Sequence, residues 1–147
     1  MKKFYLKIAD RLAKAVPELR LIDLDKGQTD NPETRQGMDY PAALIDIEFP
    51  SCEDTGGRDQ QCRATITVRV VELAITDETN HLTPRVWRER SLAILDTVQA
   101  VVQALQGFDC GFSSNLSRMT QQAERRDDAL KVYRIVFTAT FDEEFDE

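Results

Sequence analysis

Residues 84–106 (PRVWRERSLAILDTVQAVVQALQ) constrain this chain more than any other stretch. Trp87, Ile94, Leu95, Val98, Val101, Val102 and Leu105 recur at helical spacing and form one apolar stripe. Thr83 can cap the helix, Pro84 suits its first position, and Leu82 is spaced to pack on Trp87 as a hydrophobic staple. Gly107 supplies a left-handed stop, with Phe108 placed to fold back on Val102. A helix this long with one greasy face must cover something.

The partner surface is legible as alternation. Residues 40–49 (YPAALIDIEF) put Ala43, Ile45, Ile47 and Phe49 on one face and Asp46 and Glu48 on the other. Residues 63–75 (RATITVRVVELAI) put Ala64, Ile66, Val68 and Val70 on one face against Thr65, Thr67 and Arg69, with β-branched residues dominant. In LKVYRIVFTATF, Tyr133, Ile135, Phe137, Ala139 and Phe141 share a side. Residues 113–125 are polar and fit either helix or strand. Asp127-Asp128 favours a turn, hence a terminal hairpin whose first arm is largely exposed. Leu19–Leu24 reads as a short strand, and Phe4, Ile8, Leu12 and Ala15 mark an opening amphipathic helix of about three turns.

The expectation is a single α+β domain over 1–147. One mainly antiparallel sheet of four to five strands is packed by two helices in the order α-β-β-β-α-β-β, with long polar loops. At 147 residues such a domain buries enough surface for a core without metal or disulfide staples.

Charge bears on partners. Five of the 26 acidic residues lie in 142–147 (DEEFDE), which hold no base, so the remainder, with all 19 basic residues, is close to neutral. An acidic tail repels phosphate, which argues against sequence-specific nucleic-acid binding. No apolar run approaches the ~20 residues that cross a bilayer, and Lys7, Asp10, Arg11 and Lys14 interrupt any signal-like stretch, so a protein kept inside the cell is expected. Cys52, Cys62 and Cys110 make an odd count with no C-x-x-C, as reduced thiols would.

Enzyme signatures are absent: there is no Walker loop, G-x-G-x-x-G, H-E-x-x-H or G-x-S-x-G. His81 is the sole histidine and reads as a solvated loop residue. Cys52, Cys62 and His81 fit no zinc-ligand spacing, although Cys52 and Cys62 could bracket a hairpin and oxidise. Asp46 and Glu48 share a strand face, but a general acid needs burial and this face reads as open. Gly56-Gly57 lacks the following helix that a phosphate cradle needs, so it reads as loop flexibility. No catalytic residue, metal ligand or cofactor is expected.

Two features stand out. Long polar connections at 26–39 and 51–61 flank the same strand, and loops of that length usually carry function or are disordered. Arg85, Arg88 and Arg90 occupy the first turns of the long helix, where the dipole disfavours cations by roughly 0.3–1 kcal/mol each. Such a cluster invites an external acid. The expected interface therefore joins Arg85, Arg88 and Arg90 to Asp142, Glu143, Glu144, Asp146 and Glu147, in the same chain or a neighbouring copy. Asp54, Arg58 and Asp59 of the 51–61 connection add further contacts.

In layout and residue style the chain resembles the tail-terminator (tail-completion) family of long-tailed bacteriophages and the related minor tail and head–tail joining proteins. The pieces that carry it are FYLKIADRL, YPAALIDIEF, RATITVRVVE, RERSLAILDTVQAVVQALQG and RRDDALKVYRIVFTATF, which together span nearly the whole chain. The resemblance implies a non-enzymatic α+β subunit of a phage or prophage tail. Members close into a ring, commonly of six copies, that caps the tail tube and joins it to the neck. Its partners would be itself, the tube and head-completion proteins, with assembly in the bacterial cytoplasm and a final place in the virion tail. Bore-lining residues cannot be assigned, so no individual contact carries over. A ring needs two unlike patches, which the basic and acidic clusters supply. Negative charge also suits a channel through which DNA slides. Two other readings compete: a bacterial α+β adaptor binding a protein through its loops, and a small enzyme using Asp46 and Glu48.

Overall fold

The computed structural model describes residues 1–75 and 77–145. Helix α1 (Lys2–Ala15) leads into strand β1 (Leu21–Leu24), a 3-10 turn (Gln28–Asp30) and a one-turn helix α2 (Pro32–Arg35). Strands β2 (Ala42–Gly56) and β3 (Asp59–Leu73) precede the long helix α3 (Arg85–Leu105), and β4 (Ser117–Glu124) and β5 (Leu130–Glu143) follow. The sheet runs β1-β2-β3-β5-β4, antiparallel except for the parallel β1–β2 pair. The α+β class and the strand order agree with the alternation in the sequence.

One face of the sheet is sealed as the pattern demands. Ala43, Ile45, Ile47, Ala64, Ile66, Val68, Val70, Ile135 and Phe137 meet Phe4, Ile8 and Leu12 of α1 and Ile94, Val98, Val101, Val102 and Leu105 of α3. Arg11 ties the two helices by donating from Nε to the Ala104 carbonyl at 3.0 Å. Gly107 takes φ +75°, as the stop requires, and Phe108 packs on this core.

The sequence reading needs correction in three places. Residues 51–61 are not a loop: β2 and β3 stay paired to Gly56↔Asp59, leaving Gly57 and Arg58 as the connection. Gly57 sits at φ +58, the conformation that a two-residue hairpin with glycine first requires. Both faces of this segment are exposed, so it carries no apolar alternation to betray a strand. Residues 26–39 do not project freely either. They fold back over the second face of the sheet, where Met38 joins Ala42, Leu44, Val71, Leu130 and Val132 in a small separate core. Asn31 caps α2 by accepting from Glu33 N at 3.0 Å, with Pro32 in the first helical turn. Residues 113–125 resolve as strand over 117–124, exposed as expected of the first arm.

The start of α3 departs furthest. Pro84, not Thr83, is the cap residue, no side chain caps the helix, and none of its first six residues is buried. Leu82 is 81% exposed and Trp87 45%, so the staple does not form, and Leu95 also leaves the buried stripe. Trp87 there lines an open groove with Leu73 at the end of β3 and Lys131 at the start of β5, and does not enter the core.

Candidate functional site

The exposed start of α3 makes a surface. Ile75, Leu82, Val86 and Trp87 are 83, 81, 64 and 45% exposed, and all sit where the 74–84 connection meets the first turn of α3. Arg85, Arg88 and Arg90 lie on the same first turns of the helix, and Arg90 lines the groove beside Trp87 and Ile75. The Arg90 guanidinium lies 5.3 Å from the Trp87 ring centre, and Arg85 reaches Glu89 at 3.7 Å in a fully solvated pair of little energetic weight. Beside Trp87 a shallow groove of about 210 Å³ runs between Leu73, Ile75, Arg90 and Ile94. Local rules are broken together here: cations at the positive end of a helix, no cap, no acid in the first turn, and apolar side chains in water. Tryptophan and arginine are the residues that most often anchor protein interfaces.

The far end of the sheet makes a second, different surface. Beyond the cover of the helices, β2, β3 and the last residues of β5 continue as a projecting arm, paired from Cys52↔Cys62 to Gly56↔Asp59 and from Gln60↔Glu143 to Phe141↔Cys62. Its base is knotted by Phe4, Phe49, Phe112 and Phe141, with Phe4 and Phe112 stacked at 4.1 Å and Phe4 and Phe141 edge-on at 5.1 Å. Ser113 and Ser114 accept from Asp142 N and Thr140 N, both at 2.8 Å, replacing β4 where that strand has ended. At the tip the tail is tied down: Phe145 N donates to Asp59 Oδ1 at 3.1 Å, Arg58 lies 6.0 Å from the Phe145 ring centre, and Gln61 Nε2 donates to Asp142 Oδ1 at 2.9 Å. Glu53, Asp54, Asp59, Asp142, Glu143 and Glu144 face only Arg58 and Arg63 among the described arm residues, so the arm is acidic.

The structure thus gathers the sequence-predicted residues into two groups and keeps the groups apart. Arg85, Arg88 and Arg90 share the helix end. Asp54, Arg58, Asp59, Asp142, Glu143 and Glu144 share the arm. Asp146 and Glu147 lie outside the described residues. Lys131 at the start of β5 donates to the Ser91 carbonyl on α3, whereas Asp142 closes the other end of β5. Eleven residue steps along β5 separate them, roughly 36 Å at about 3.3 Å per step. Asp142, Glu143 and Glu144 thus lie at the opposite end of β5 from the strand end that α3 touches through Lys131. Ile75, Leu82, Val86, Trp87 and Phe145 belong to these surfaces although the sequence reading passed over them or buried them. The arginines at the helix start were the available signal for the first group.

A third cluster lies between the ends, on the second face. Arg69, nearly buried, donates to both Glu124 oxygens at 2.8 and 2.9 Å, and also to Asp25 and Thr29. Arg126 binds Asp128 at 2.6 Å, Asp30 at 3.2 Å and the Thr29 carbonyl, and Arg35 reaches Asp128 from α2. Hydrogen bonding from Arg69 holds Glu124 below the usual carboxylate range, and Arg126 does the same for Asp128. Burial opposes the charge of Arg69, but Glu124 and Asp25 outweigh it and raise its pKa. Every member has a partner, and the cluster clamps the 26–39 segment to the β4–β5 turn. It is a structural device.

The remaining candidates do not converge. Asp46 is half-buried beside Thr67 and Arg69, and Glu48 is exposed, so the carboxylate pair lacks the burial that acid catalysis needs. Cys52 and Cys62 sit on the arm while His81 lies by α3 at the opposite end, which removes them as a common metal site. Among the described residues no group of three or more histidine, cysteine or acidic side chains is arranged to hold a metal ion, and no helix is long and apolar enough to cross a membrane.

No protein-family model and no curated protein sequence matches this chain. Among solved structures, a chain in the virion of a native gene transfer agent particle matches 95% of this chain and 92% of its own length, with a TM-score of 0.50 and 14% identity. At that identity the match speaks for a shared fold.

Proposed function

We propose that this chain is a structural subunit of a phage-like particle, which joins copies of itself head to tail into a ring. The most specific form of this reading is a tail terminator that caps the tail tube and meets the neck. The observation that carries it is the pair of unlike surfaces at opposite ends of the same strands: an exposed, apolar and arginine-bearing helix start and an acidic arm. A closed ring needs such a heterologous interface, in which one patch meets a different patch on the next copy. The fold shared over nearly its full length with a chain of a gene transfer agent virion supports the same setting. In this reading the tube and neck proteins are the further partners, and the protein ends in the virion.

The test is the mass of the purified chain by light scattering across ionic strength. Salt-sensitive self-association, weakened by deleting residues 142–147, is the expected result. A chain that stays monomeric at low salt and high concentration contradicts it. That outcome would favour an adaptor that offers Trp87 and its neighbours to another protein.

A further inference from the structure

The pairing of β2 with β3 sets Cys52 directly opposite Cys62. Residues facing each other in an antiparallel ladder point to the same side, with Cα atoms about 4.5 or 5.5 Å apart. Both spacings fall inside the roughly 4.4–6.8 Å range that disulfides span. Both thiols are free in this structure; Cys52 is exposed and Cys62 buried. The pair thus has an entry point and a resolving partner, held in register by the ladder on both sides. Cys110, the third thiol, is buried in the main core.

We propose that Cys52 and Cys62 are a thiol–disulfide exchange site on the arm, which a small-molecule disulfide such as oxidised glutathione closes into a cross-strand bond. The Cys52 thiolate attacks one sulfur of the oxidant, forming a mixed disulfide and expelling one thiolate, which takes up a proton. Cys62 then loses its proton to solvent and attacks the Cys52 sulfur. The Cys52–Cys62 bond forms, and the second thiol of the oxidant leaves. Two protein thiols are oxidised and one disulfide is reduced to two thiols, so electrons and protons balance. The product closes residues 52–62 into a covalent loop across the tip, so its strands cannot part. This closure is a property of one chain and does not depend on assembly.

The second step has a kinetic signature. Hydrogen bonding with Cys52, together with burial, pushes the Cys62 thiol up to about 11. Its attack should therefore speed up about tenfold per pH unit between 7 and 9, where a thiol of ordinary pKa would already be levelling off.

The experiment incubates the full chain with oxidised glutathione, quenches with an alkylating agent and maps tryptic peptides by mass spectrometry. Cleavage after Arg58 separates the two cysteines, so the bond reads as a linked pair of peptides. The wild type should lose two of its three free thiols. Cys110→Ser should behave likewise, and Cys62→Ser should stop at a stable glutathione adduct on Cys52. Three outcomes would overturn the proposal: a persistent adduct in the wild type, a Cys52–Cys52 dimer between chains, or no loss of thiols.

Discussion

At one end of the sheet, α3 starts with arginines, no side-chain cap and a half-exposed tryptophan; at the other, a polar hairpin stays paired to Gly56↔Asp59, with one register shift after Asp54 and its tail hydrogen-bonded to its tip. The helix end departs from what an isolated helix prefers, and the departures share one location. The arm keeps its ladder paired to the tip and departs in a single register shift and in reaching beyond the core. A self-complementary contact would make one surface serve both sides. Here each end is specialised, one apolar and basic, the other acidic and extended. That division is what a directional contact between copies requires.

The largest effect should come where the arm joins the body. Phe4→Ala opens the aromatic knot beneath the arm and should cost about 3–4 kcal/mol of stability by chemical denaturation. An unchanged midpoint would mean that the arm is not held from that base. Next is the clamp between the two ends. Glu124→Gln should cost about 2 kcal/mol near neutral pH, since it breaks the two-pronged contact of a nearly buried arginine. Glu124 and Asp128 have depressed native pKa values, so their contribution is complete above the usual carboxylate range and fades as pH falls through the lower native values. The acid limb of the stability curve should accordingly be shallower in Glu124→Gln than in the wild type.

The two ends separate most cleanly in substitutions that spare the fold. Trp87→Ala should shift monomer stability by less than about 0.5 kcal/mol. It should weaken self-association roughly 30-fold, the ~2 kcal/mol of an aromatic anchor. Arg88→Gln should give opposite signs: a monomer stabilised by about 0.3 kcal/mol through relief of the helix dipole, and weaker association. If both quantities fell together, the arginine would be serving its own helix rather than a partner.

What the sequence disclosed follows the same division. Ile45, Ile66, Val68, Ile135 and Phe137 alternate because one face is buried, so the strands and their inward side were legible. The arm was missed because SCEDTGGRDQQ has no buried face and therefore no alternation. Its remaining clue, Gly56-Gly57 between two strand-like runs, was read as flexibility instead of a tight turn. The clamp was out of reach for another reason. Arg126 meets Thr29 across 97 positions and Arg35 meets Asp128 across 93, and no local pattern encodes such partners. Residue type and spacing place Trp87 on the buried stripe, but they cannot tell a position packed into the core from one left in an open groove at the helix start. The three arginines beside it stand at the opposite end of the strands from Asp142, Glu143 and Glu144, a separation that no local pattern in the sequence encodes.

The most direct measurement mixes two variants, each blocked at one end. One carries Arg85→Glu, Arg88→Glu and Arg90→Glu with an intact arm; the other carries Asp142→Lys, Glu143→Lys and Glu144→Lys with an intact helix end. Each alone should be monomeric by light scattering, and the mixture should form a one-to-one dimer through its single unblocked contact. A mixture that stays monomeric, under conditions where the wild type associates, would contradict the head-to-tail contact.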